Sequence, residues 1–152
     1  MDRQHVQVVA VGNPLRGDDG VGQAVLERLR DAGLPDNVGL VDAGADPLDV
    51  VEHVMEADKV IIIDAAGMGR APGHVALLRP ENLRESVTGA PYSTHGYGLA
   101  EGLELARACG FSADVLIIGI QPESVGPATG LSPAVASSIP EVVNLVLQEV
   151  AS

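Results

Sequence analysis

Gly12-Asn13-Pro14-Leu15-Arg16-Gly17-Asp18-Asp19-Gly20-Val21-Gly22 follows the apolar, β-branched run at 6–11 and leads into a stretch with helical spacing. A buried strand, a tight turn and a helix in succession open an α/β unit. This turn differs from the phosphate-binding turns that share its outline. There, backbone N–H groups and the positive end of the helix face an incoming phosphate; here Asp18 and Asp19 would repel one. The segment suits a cation or a proton transfer, and the helix dipole favours an ionised carboxylate in the first turn. A capping role for one of the two acids is also open, because Asp is a strong N-cap.

The alternation continues along the chain. Val21, Ala24, Val25, Leu26 and Leu29 fall mainly on one helical face, and Gly33 with Pro35 ends that helix. A second short strand at 38–41 is closed by Asp42-Ala43-Gly44, and Pro47 opens a helix over 48–55. Residues 59–64 are apolar on both faces, as in an inner strand of a helix-covered parallel sheet. A further strand, suited to an edge, is expected at 74–78, and the weak pattern at 80–92 reads as a short helix or loop. Leu99, Leu103, Leu105, Ala106 and Cys109 predict a helix ended by Gly110, with Cys109 as a small buried side chain. An apolar strand at 115–120 and a last helix from Ser132 or Pro133 to about Val150 complete the series. The expected fold is α/β: a three-layer α/β/α sandwich around a mostly parallel twisted sheet of about five strands, one domain over residues 1–152.

Charge narrows the partners. A formal net charge of −12 with only nine Lys and Arg opposes a nucleic-acid or acidic-membrane surface, and a cationic or metal-bearing partner is easier to accommodate. Cys109 is the single cysteine, so there is neither a disulfide framework nor a thiolate metal cluster. No apolar stretch reaches the ~18 residues of a membrane span, and the N-terminal residues lack a signal-peptide core. The expectation is a cytoplasmic monomer that engages neither nucleic acid nor membrane.

In an open parallel sheet the loops after the carboxyl ends of the strands share one rim, where ligands bind. Asp18 and Asp19 follow the first predicted strand, Asp42 ends the second, Asp64 ends the third and Glu123 follows the last. His95 lies in Ser93-Thr94-His95-Gly96-Tyr97-Gly98, read as a loop feeding a helix, and reaches the rim if that loop folds over it. Two carboxylates and an imidazole suit a borderline or fairly hard divalent ion with positions left open for substrate or water. Blander roles stay open. His95 could be an ordinary hydrogen-bonding residue, and Asp64 could cap a turn or pair with Arg16 or Arg70. Asp19 and Asp64 close together could instead share a proton, as in aspartic peptidases. Ser93, Thr94, Ser124 and Thr129 lie in predicted loops, but none has a nucleophile elbow or a recognisable base. His5, His53 and His74 have no chemical neighbour visible in the sequence.

The turn from Gly12 to Gly22 resembles the G-N-x-x-x-x-D-[DE]-G-x-G signature of the hydrogenase maturation proteases, endopeptidases that trim the C-terminus of [NiFe]-hydrogenase large subunits. Val60-Ile61-Ile62-Ile63-Asp64-Ala65 is similar to that family's apolar strand ending in an acid, and Ser93-Thr94-His95-Gly96 to its histidine loop. The resemblance implies that Asp19, Asp64 and His95 are both the metal-contacting and the catalytic residues. It also implies that the metal is nickel already carried by the large-subunit precursor, with no resident cofactor, although another divalent ion could occupy the site in a crystal. Asp42 and Gly44 would bind substrate; Asp42-Ala43-Gly44-Ala45 keeps the acid and one glycine of the D-G-G-T stretch found in many relatives. Two rival functions stay open on the same residues: a metal-independent aspartic-type peptidase, and a nickel-sensing chaperone or binding module that cuts nothing.

Overall fold

A computed structural model describes residues 3–46, 49–86 and 94–152, with only the backbone of 94–97. The elements run β1 (Val6–Val11), α1 (Val21–Arg30), β2 (Val38–Asp42), α2 (Val50–Met55), β3 (Lys59–Ala65), β4 (Val75–Leu78), α3 (Leu83–Ser86), α4 (Thr94–Ala108), β5 (Asp114–Ile120) and α5 (Pro133–Ala151). The five strands form one sheet in the order β2-β1-β3-β5-β4. Four are parallel, and β4 closes one edge antiparallel to β5. The predicted α/β fold and strand count therefore hold.

Successive side chains of a strand point to opposite faces, and the core divides accordingly. Val9, Val11, Ile62 and Ile117 meet Val54 of α2 with Leu99 and Leu103 of α4 on one face. Val8, Ala10, Ile61 and Ile63 meet α1 and α5 through Val25, Leu29, Val135 and Val142 on the other. Every residue of β3 is buried, as a strand covered by helices on both faces requires. Among the described residues, no helix is long and apolar enough to cross a membrane.

Two local expectations fail. The segment through Gly98 is read from the sequence as a loop feeding a helix, and Gly96 and Gly98 each cost about 1 kcal/mol in a helix relative to Ala. Helix α4 nevertheless begins at Thr94; Leu99, Ala100, Leu103 and Ala106 bury against the sheet and α2, and that packing outweighs propensity. Cys109, expected to be buried, is exposed. The helix ends one residue earlier, where Gly110 takes φ +93°. The N–H groups of Gly110 and Phe111 then return to the carbonyls of Arg107 and Ala106. In this Schellman turn the apolar position after Ala106 passes to Phe111, which packs on the core, and Cys109 turns to solvent. The predicted helix start at Pro47 and Leu48, and the segment 87–93, lie outside the described residues.

Candidate active site

The chain leaves β1 for β2 on one side, whereas β3 lies on the other side of β1, so the order of strands reverses between β1 and β3. Ligands in open α/β sheets bind at such a crevice. Val11, the last residue of β1, pairs with Asp64 near the end of β3. Gly12 then turns the chain at φ +148°, and a Cβ there would stand 1.9 Å from the carbonyl oxygen of Asp19. Only glycine lets the Asp19 peptide fold back against the end of its own strand. The start of α1 is seated as closely, since a Cβ on Gly22 would meet the Ile63 carbonyl oxygen at 2.8 Å. Strand register and these two approaches bring Asp19, in the turn after β1, and Asp64, near the end of β3, to the carboxyl end of the sheet. Each is only 2% exposed. One Asp19 oxygen, Oδ2, accepts the N–H of Asn13 at 2.8 Å, which fixes the carboxylate within its turn.

Asp18 has a different role from its neighbour. Its Oδ2 accepts the N–H of Glu123 at 2.8 Å, the N–H of Ser124 at 3.3 Å and the Ser132 hydroxyl at 2.8 Å, while Oδ1 accepts the Ser132 N–H at 2.7 Å. Burial pulls this carboxyl up, but the bonds from Ser132, Glu123 and Ser124 outweigh it and hold the pKa below the ordinary 3.8. Asp18 thus caps no residue of α1; it ties the turn to the segment entering α5, whose N-cap is Ser132. Main-chain bonds reinforce the tie, from Gly17 N–H to Ala128 O at 2.9 Å and from Ala128 N–H to Leu15 O at 3.0 Å. Arg16 joins it through Nε to the Val125 carbonyl at 3.0 Å. The ion pairs seen among the described residues include neither Arg16 nor Arg70.

Asp42 and Gly44 flank the same turn. Asp42 Oδ1 accepts the Gly44 N–H at 2.9 Å and Gln23 Nε2 at 3.0 Å, and the same Gln23 nitrogen reaches the Gly12 carbonyl at 2.9 Å. The Gly44 carbonyl accepts the Gly12 N–H at 2.8 Å. Gln23 and Ser132 are the site-building residues that sequence reasoning missed. Ser132 had a signal, a serine just before Pro133 at a helix start; Gln23 had none. Glu123 contributes its backbone N–H, and its side chain is exposed. His95 falls in the first turn of α4, with its side chain outside the described residues. Among the described residues, no three His, Cys, Asp or Glu side chains gather closely enough to hold a metal.

A sequence model of the hydrogenase maturation proteases matches residues 23–149. The hydrogenase 2 maturation protease of Escherichia coli K12 is 33% identical over 145 residues, covering 93% of this chain and 88% of that protein. The hydrogenase expression/formation protein HoxM of Azotobacter vinelandii is 32% identical over 127 residues, 82% of this chain but 61% of its own longer length. Among solved structures, the hydrogenase maturating endopeptidase HybD from E. coli superposes with a TM-score of 0.85 at 31% identity, covering 97% of this chain and 92% of that one. The match of the family model over most of the chain and these similarities lead to one assignment: the chain belongs to the hydrogenase maturation protease family.

Proposed function

We propose that the chain is an endopeptidase that removes a C-terminal extension from a nickel-loaded [NiFe]-hydrogenase large-subunit precursor. The observation that carries this reading is the pair of buried acids, Asp19 in the turn after β1 and Asp64 near the end of the adjacent β3, where the sheet order reverses. The nickel belongs to the substrate. Asp19, Asp64 and His95 meet it as it enters, so cleavage reports that metal insertion is complete, and Asp42 with Gly44 holds the incoming chain. Water attacks the carbonyl carbon of the scissile peptide, the C–N bond breaks, and a proton passes to the departing amine. Nickel polarising the carbonyl or the water lowers the barrier by one route, and a carboxylate acting as general base lowers it by another.

The test incubates the protein with nickel-loaded and nickel-free precursor and reads both by intact mass. Loss of the extension from loaded precursor alone supports the proposal. Equal cleavage of both forms replaces it with an acid-pair peptidase that ignores metal, and a stable complex with precursor of unchanged mass replaces it with a binding module. Asp19→Asn, Asp64→Asn and His95→Ala are each expected to abolish processing while circular dichroism and the unfolding midpoint show a folded chain; full cleavage by a folded variant removes that residue from the mechanism.

A further inference from the structure

We infer that the tip Pro14-Leu15 and the groove beside it form a docking surface for an extended segment of the substrate protein, one that carries an apolar side chain next to a cationic one. The inference rests on the peptidase reading and adds the chemistry of the segment that is recognised. Leu15 is 68% exposed, more than Met55, Leu77 or Leu105, the other exposed large hydrophobics among the described residues, and those three lie within α2, β4 and α4. A leucine exposed singly on a surface needs no explanation. Leu15 differs because it is held: its N–H donates to Asn13 Oδ1 at 3.0 Å and its carbonyl accepts the Ala128 N–H at 3.0 Å. The next residue, Arg16, is fixed by its own N–H to Asn13 O at 2.9 Å. An apolar side chain on so constrained a backbone loses little further freedom when a partner covers it, which is how a preordered contact contributes affinity.

The groove, about 400 Å³, runs off the acid-bearing turn itself, with Gly17 and Gly20 in its lining. Pro14 and Leu131 supply apolar wall, and Gln23 and Asp42 line it as well. Asp42 is exposed, and among the described residues its carboxylate accepts only from neutral donors, the Gln23 amide and the Gly44 N–H. No described cation forms an ion pair with it, in a chain of net charge −12. Glu27, also in the lining, is matched by Arg30 at 3.1 Å, so the residual negative charge of the groove falls at Asp42. The segment that fits rests an apolar residue on Leu15, enters the groove beside Pro14 and carries a Lys or Arg towards Asp42, and its continuation passes the turn that carries Asp19.

The test measures steady-state cleavage of nickel-loaded precursor by wild type, Leu15→Ser and Leu15→Met. Leu15→Ser is expected to raise KM roughly tenfold or more, the usual cost of losing one buried leucine contact. Leu15→Met, which keeps an apolar contact, is expected to stay within about twofold of wild type. The wild-type KM is further expected to rise with salt, and that of Asp42→Asn to rise less. A Leu15→Ser enzyme with unchanged KM, or one that loses kcat alone, overturns the docking surface while the peptidase reading stands. A wild type that cleaves neither loaded nor free precursor overturns the peptidase reading and the docking surface together.

Discussion

Ser132 gives both its backbone N–H and its hydroxyl to the Asp18 carboxylate, at 2.7 and 2.8 Å. The two residues are 114 positions apart in the chain. Hydrogen bonds to a charged group are worth about 1.5–3 kcal/mol each when buried, and deleting the acceptor leaves its donors unsatisfied. Asp18→Ala is expected to destabilise the fold by about 3 kcal/mol or more, and Ser132→Ala by about 1–2 kcal/mol, in urea unfolding. A double-mutant cycle should show strong coupling between them; additive effects would mean the contact carries no stability.

The pH dependence of that tie has a definite sign. The folded-state pKa of Asp18 lies below 3.8, so its contribution is fully present above the unfolded value and is lost as the pH falls through the folded one. The stability gap between wild type and Asp18→Asn should therefore be constant from about pH 7 to 5 and narrow below about pH 4. A gap that stays flat down to about pH 2.5 would contradict the depressed pKa.

Gly12 and Gly44 both have positive φ, but only Gly12 faces a close neighbour, the Asp19 carbonyl. Gly44→Ala should cost about 1–2 kcal/mol, the price of the backbone conformation alone. Gly12→Ala adds a clash with main chain and should cost distinctly more, with processing lost because the Asp19 peptide is displaced. Equal unfolding midpoints for the two variants would show that the close approach is not needed.

Exposure of Cys109 is checked with a thiol reagent on the folded protein. One thiol should react at a rate close to that of a free cysteine, and Cys109→Ser should change stability by less than about 0.5 kcal/mol. Protection of the thiol until unfolding would return Cys109 to the core.

The strands were legible because period and burial coincide: 59–64 is apolar on both faces, and β3 is buried throughout. The acids at the rim followed from topology, since a parallel sheet delivers Asp19, Asp42 and Asp64 to one end whatever their spacing in sequence. Three features were hidden for a common reason, that each is set by a partner distant along the chain. Asp18 and Asp19 look alike in sequence, and only segment 123–132 distinguishes them. The start of α4 is decided by packing against the opposite strands, which overrides Gly96 and Gly98. Cys109 fits a helical stripe until Gly110 hands the next core position to Phe111.

The reach of Asp18 to the cap of α5 also orders events in time. Until residues 123–132 have emerged from the ribosome and the helix behind them has docked on α1, the carboxylate lacks all four of its donors. A chain that stops short of residue 123 is therefore expected to hold its first turn more loosely. The tie forms late, when the far segment closes over the first turn.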